Sequence, residues 1–412
     1  MTILLNLALV LVVGAALAAL FSRRVLESPA WRATVTPFAS IIGSGFLVSV
    51  PLISGVIGNY ALFGMAGLVV YAYAVGGAIR FNILHGEPLF EAVDGKGRAA
   101  SLATACEHLS HIALAAAYFV SVAYYLSLLS TFLLKGAGIQ DDLLARMLTT
   151  GFLVFIGSYG FVRGLRGLER LEEYAVGFKL AVIASIIVAL ASHNLHLTAA
   201  GTWKLADLPA RFDMDAARAL LGFVIVVQGF ETSRFLSGQY SPALRVRTMR
   251  FAQLISGAIY IVFFGLATVM FQAGFRDGEV AAIVDIVGEV AWVLPVMLVG
   301  AAVASQFSAA VADAIGGAGL LHDASRQRVE LRYFYPAIAA VSVTLVWSGS
   351  VFDIIAACSR AFAFYYFVQC AVAGFVAFAA PGVTRRAARA AWFALLAAVS
   401  LAASVFGIPT GG

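Results

Sequence analysis

Charge is the first thing this sequence is short of. Only 12% of its 412 residues are Asp, Glu, Lys or Arg, while 62% are hydrophobic and the mean hydropathy is +0.94. A soluble globular chain carries about 25% charged and about 45–50% apolar residues. So large an apolar excess does not fit inside one soluble core. The composition excludes a cytosolic enzyme, a disordered chain and a nucleic-acid binder, and it makes the lipid bilayer the solvent for much of the chain. Cysteine is also scarce. Cys106, Cys358 and Cys370 are odd in number, scattered, and set in apolar runs. They offer neither a disulfide framework nor a metal-ligand spacing, and read as packing residues. Lysine is limited to Lys96, Lys135, Lys179 and Lys204, so the net charge of +5 is carried almost wholly by arginine. No Gly-x-Ser-x-Gly elbow, His-x4-Asp pattern or pair of intramembrane aspartates is present, which argues against a membrane-embedded enzyme. No residue pattern calls for a cofactor or a bound metal.

What the chain does contain is apolar runs. Twelve of them are long enough to be read as crossings, at about 2–21, 34–57, 61–84, 103–134, 147–163, 172–193, 216–238, 249–273, 290–322, 333–349, 351–379 and 387–407. They are continuous and not alternating, so helices are expected, each needing about 20 residues to span. The first run has no positive segment before it and no small-residue cleavage site, and reads as a retained helix. The stretch 279–289 is amphipathic and is expected to lie on the surface. Alternate loops then differ sharply in charge. Nineteen Lys and Arg residues fall in one set and six in the other, with Lys179 and Arg360 inside spans. The positive-inside rule places the richer set in the cytoplasm and both termini outside.

Two of the runs are interrupted at mid-span. The second holds Gly43-Ser44-Gly45 followed by Pro51, and the seventh holds Gln228-Gly229-Phe230-Glu231. Glycine and proline weaken a helix interior. A broken helix survives in a membrane only where its freed backbone faces protein or a wet cavity. Five spans separate the starts of the two, so they cross in opposite directions. Corresponding breaks in two halves of opposite topology point to a secondary-transporter site. There, half-helix amides hold an anionic group and freed carbonyls hold a cation.

These segments also carry a family resemblance. IIGSGFLVSVP resembles the first-helix signature of the amino acid–polyamine–organocation superfamily, and VQGFETSRFLSGQYSPALRVRTMR resembles its sixth-helix region. In the loop that follows, the family's usual pair of acids is replaced by Gly238-Gln239. The resemblance covers about residues 34–380. It implies an all-α membrane protein with a five-plus-five inverted-repeat core of the leucine-transporter type and two discontinuous helices. The repeats would be 34–193 and 215–380, with an added N-terminal helix and loop over 1–33 and a last helix over 381–412. It further implies a bacterial inner-membrane transporter of amino acids or related small amines, coupled to protons. Carried over by position, the amides of Gly43, Ser44 and Gly45 would hold a substrate carboxylate, and the Tyr124 hydroxyl would cap it. A side chain added at Gly45 would then fill that site and leave the fold intact. Val227, Gln228 and Gly229 would face the rest of the substrate. The walls read as small and apolar, with Ala39, Ile42 and Val226.

The intramembrane charges each need a reason, since insertion costs at least about 2.5–3.5 kcal/mol apiece. Lys179 lies two turns inside its span. It is a proton-coupling group standing where a sodium would sit in relatives, or the partner of Asp313 at similar depth, or a snorkelled lysine. The sodium site of this fold would use the carbonyls of Ala39 and Ile42 with two hydroxyls. Ser308 is present, but Phe307 stands where the second is expected, which argues against sodium. Glu231 is placed to cap freed amides, with proton relay or amine recognition as the other role. Arg360 is read as a gate pairing with Asp353 or Asp285, or as an anion site. Glu107, His108 and His111 read as an interface-facing polar patch. Sodium coupling, another substrate class (nucleobase, organic ion or metal) and a ligand sensor remain the alternatives.

Overall fold

The computed structural model describes residues 2–91, 97–165, 170–210, 212–271 and 281–408. Among the described residues there are helices and no strands. In chain order the main elements are α1 (Thr2–Leu20), α2 (Pro29–Ile41), α3 (Ser44–Ile57), α4 (Ala61–Phe81), α5 (Arg98–Gly136), α6 (Asp142–Arg163) and α7 (Arg170–Ala199). There follow α8 (Met214–Leu221), α9 (Pro242–Ala267), α10 (Ile283–Val290), α11 (Val293–Ala324), α12 (Phe334–Ser348), α13 (Val351–Ala379) and α14 (Arg386–Phe406). Nine helical runs among the described residues are long and apolar enough to cross a membrane. One of them, Pro29–Glu91, contains two of the expected crossings. The 15-residue α12 and the interrupted segment around residue 228 fall outside the nine. Lys96, Arg166, Arg211 and Arg276, which contribute to the loop-charge argument, lie outside the described residues.

Helix starts follow local chemistry. Ser28 and Ser241 cap helices that open on Pro29 and Pro242, where a missing N–H costs nothing. The carboxylates of Asp141 and Asp213 accept from the amides of Leu144 and Ala216. Ser350 and Asp353 form a reciprocal capping box at the start of α13.

The core is organised around α5, which packs against α6, α11, α12 and α13. Every residue from Ser121 to Ser130 is buried, as expected of a helix apolar all round and surrounded by others. α1 leans on α7 with Leu9 and Val13 buried, and turns Ile3, Leu4 and Leu11 outward. The amphipathic stretch is not a surface rider. α10 buries Ile283, Val284, Ile286 and Val287 against α3, α7 and α11, because its apolar face is wide enough to dock. Its exposed Asp285 pairs with Lys135 at 2.6 Å.

Candidate functional site

The two interruptions meet in space. α2 ends at Ile41, and the chain bends through Ile42 and Gly43 before α3 begins. A helix end leaves its last carbonyls without i+4 partners. Here Ala39 O accepts from the Lys179 ammonium at 2.8 Å. Ile41 O accepts from the Tyr260 hydroxyl at 3.1 Å. The second interruption is built differently. After α8 come a 3-10 turn over Val224–Val227, an extended Gln228, Gly229 at φ 111°, and a second 3-10 stretch over Phe230–Leu236. Val226 O accepts from the same Tyr260 hydroxyl at 2.6 Å. The Ser359 hydroxyl accepts from Ile225 N at 3.1 Å.

Two glycines allow the segments to touch backbone to backbone. A Cβ on Gly45 would lie 2.6 Å from Val226 Cα, and one on Gly229 would lie 2.5 Å from the Ser40 carbonyl carbon. Gly229 also needs its positive φ, which side chains resist. Gly45 therefore serves the crossing of the two segments. A side chain there pushes the Val226 backbone away, which corrects the expectation that the fold would be left intact.

Beside this crossing lies a cavity of about 30 Å³, which is room for about one water. Its walls include Ala39, Gly43, Lys179, Gln228, Glu231, Ser308 and Asp313, so seven of the expected site residues share one space. Lys179 is 3% exposed and Glu231 is fully buried. One Glu231 oxygen accepts from Gly229 N at 3.0 Å and from the Tyr366 hydroxyl at 2.9 Å, while its other oxygen has no hydrogen-bond partner among the described residues. Asp313 accepts from the Ser121 hydroxyl. Gln228 donates to the Tyr125 hydroxyl at 2.8 Å.

Other expected residues fall outside the cavity wall: Ile42, Ser44, Gly45, Tyr124, Val227 and Gly229. The side chain of Ser44 is outside the described set. The tyrosine that lines the cavity is Tyr125, with the Tyr124 ring tilted against it at 5.2 Å. One residue along a helix turns a side chain by about 100°, which hydropathy does not register. The same geometry corrects the hydroxyl count. Ser305, one turn before Ser308, also lines the cavity, while Phe307 points toward Phe152 and Phe155 of α6. Arg360 is corrected as well. It is exposed, it donates to Ser404 O of α14 at 2.7 Å, and it faces the bundle's outside. Asp353 is engaged in its capping box and Asp285 with Lys135, so neither is its gate partner.

The cavity shares Ser40, Val176, Thr232, Ala312 and Asp313 with a vestibule of about 760 Å³, which extends past Tyr118 to Arg32 and Gln239. A second hollow of about 510 Å³ lies toward the far end of α5, around Ser127, Lys135 and Asp141, and has no wall residue in common with the cavity. The cavity thus adjoins the vestibule through shared walls.

Sequence reasoning missed the anchor of the second segment. Arg234 forks onto Glu107, with its two terminal nitrogens at 2.6 and 3.3 Å. Glu107 also takes bonds from His111 at 3.1 Å and Gln369 at 3.2 Å. Next to it, Arg245 forks onto Glu87 at 2.5 and 3.0 Å and donates to Arg234 O at 3.4 Å. Glu107 is thus part of a buried charge network and not an interface patch. Its signal was available in the sequence, as acids and arginines placed just inside the ends of apolar runs.

A multi-pass α-helical membrane protein with a buried polar centre beside two interrupted helices is built as secondary transporters are. Residues 23–407 match the family described as APC superfamily transporter, and the chain belongs to that family. An uncharacterized protein of Aquifex aeolicus (strain VF5) is 44% identical over 349 residues, which is 84% of each chain. As a transporter, the chain sits in a lipid bilayer and binds small-molecule substrates.

Proposed function

We propose that the protein is a proton-coupled secondary transporter of amino acids or related small amines in a bacterial inner membrane, and not an enzyme. It works by alternating access between two inverted repeats, over 34–193 and 215–380. In this reading the chain crosses twelve times with both termini outside, and the vestibule beside Arg32 opens to the cytoplasm. The observation that carries the reading is the convergence of both interruptions on one buried cavity, with the Lys179 ammonium seated on a freed carbonyl of the first.

A protonated Lys179 ties α7 to the end of α2. Its loss of a proton weakens the bond to the Ala39 carbonyl from a charge-assisted one to that of a neutral amine and so loosens the first broken segment, while the carboxylates of Glu231 and Asp313 stay within the same space. The amides of Gly43, Ser44 and Gly45 receive the substrate's carboxylate once the cavity beside the two segments widens, with Gln228 and the backbone of Val227 and Gly229 facing its other end.

The test is uptake of a mixed radiolabelled amino-acid pool into proteoliposomes under an inward proton gradient without sodium. Accumulation that a protonophore collapses is expected. Absence of accumulation by folded protein overturns the reading. A sodium-coupled version draws support from the paired hydroxyls of Ser305 and Ser308 in the cavity wall. It predicts uptake that disappears when choline replaces sodium and that ignores the protonophore at constant sodium.

A further inference from the structure

We propose that Tyr260 is a positioning residue whose one hydroxyl proton, shared between Val226 O and Ile41 O, holds the two broken segments in a single frame. The proposal rests on the reading that these segments form the transport site. Tyr260 belongs to neither segment. It comes from α9, is 1% exposed, and reaches one freed carbonyl of each at 2.6 and 3.1 Å. A hydroxyl carries one proton, so the stronger bond goes to Val226 and the longer one to Ile41.

Its ring is held independently of its hydroxyl. Phe46, two residues into α3, packs against it with centroids 5.4 Å apart, and Phe46 in turn stacks on Phe263 of α9 at 4.3 Å. The acceptor is also placed independently, because Gly45 packs directly on the Val226 backbone. Without the hydroxyl, two carbonyl oxygens would converge with no donor between them.

The division of labour with Lys179 follows from chemistry. Both are donors at the end of α2, but Lys179 is ionisable and Tyr260 is a neutral donor. A proton can leave the first without disturbing the second. The Ala39 contact is then the one that weakens, and the Tyr260 contact is the one that makes both segments move together.

Full-length Tyr260→Phe in nanodiscs tests this by hydrogen exchange, without any substrate. Peptides covering 38–47 and 224–232 are expected to exchange about tenfold faster or more, and to do so together. A peptide within α6 should not change. No acceleration, or acceleration of one segment alone, overturns the proposal. Should Tyr260→Phe fail to fold, Tyr260→His keeps a ring with an N–H donor. Folded Tyr260→His with wild-type exchange supports the donor role, and failure of both variants to fold overturns it in favour of ring packing. Uptake and exchange fail separately. Absent wild-type uptake with paired acceleration sinks only the transport reading, and normal uptake with unpaired exchange sinks only the assignment of Tyr260.

Discussion

The first interruption keeps α-helix on both sides of a two-residue bend, whereas the second abandons α-helix for two 3-10 stretches joined through Gln228 and Gly229. The first borrows its donors from elsewhere in the bundle, Lys179 from α7 and Tyr260 from α9. The second carries its own acceptor, Glu231, and is pinned from outside by Ser359, Tyr366 and the Arg234–Glu107 pair. Two segments that read alike, each a glycine beside a polar residue at mid-span, thus differ in what holds them. The first has an ionisable donor at its end and shares the Tyr260 hydroxyl with the second. The second is held from outside at three further places.

That contrast can be broken at its strongest point first. Arg234→Met leaves Glu107 buried without its guanidinium. Loss of one partner of a buried pair costs about 3–5 kcal/mol. Thermal unfolding of the purified protein should show a larger drop than for the double variant with Glu107→Gln, and equal drops would remove the anchor from the account. Gly229→Ala comes next. It combines about 1–2 kcal/mol of left-handed strain with about 1–3 kcal/mol of contact with Ser40. Gly45→Ala meets Val226 without the strain, so about 1–3 kcal/mol is expected. If unfolding midpoints place Gly45→Ala below Gly229→Ala, the two interruptions have been ranked wrongly.

The finer tests concern charge. Lys179→Ala leaves the Ala39 carbonyl without its ammonium, at about 1–3 kcal/mol. Substrate exchange should persist while accumulation driven by a pH gradient disappears, and unchanged pH dependence in proteoliposomes would leave Lys179 a structural role only. Arg360→Ala should change stability by less than about 0.5 kcal/mol and leave uptake alone, because its side chain is exposed. Strong loss of uptake in that variant would restore it to the transport path.

Much of the architecture was legible because it rests on one-dimensional signals. Apolar runs mark helices, Ser-Pro and Asp at their starts mark caps, and glycine at mid-span marks both interruptions. Lys179 stood out because a charge in an apolar run needs a partner. Arg360 stood out for the same reason and lies on the outside, since hydropathy along a helix does not say which face a residue takes. Tyr124 and Tyr125 differ only in that respect, and so do Phe307 and Ser305. Tyr260 gave no signal at all, as a tyrosine in an apolar helix is ordinary until its hydroxyl is found between two carbonyls.

The sequence by itself determined where the chain must be helical, where the helix must fail, and that an ammonium and two carboxylates had to be accommodated within the bilayer. Those follow from the cost of unsatisfied backbone and unpaired charge in lipid, which acts residue by residue. Only the tertiary structure decided which donors meet the freed carbonyls, which acid is shared with which hydroxyl, and which residues line the cavity. These depend on helix rotation and on crossings between segments some 140–220 residues apart, and contacts at that range form only when the whole bundle packs.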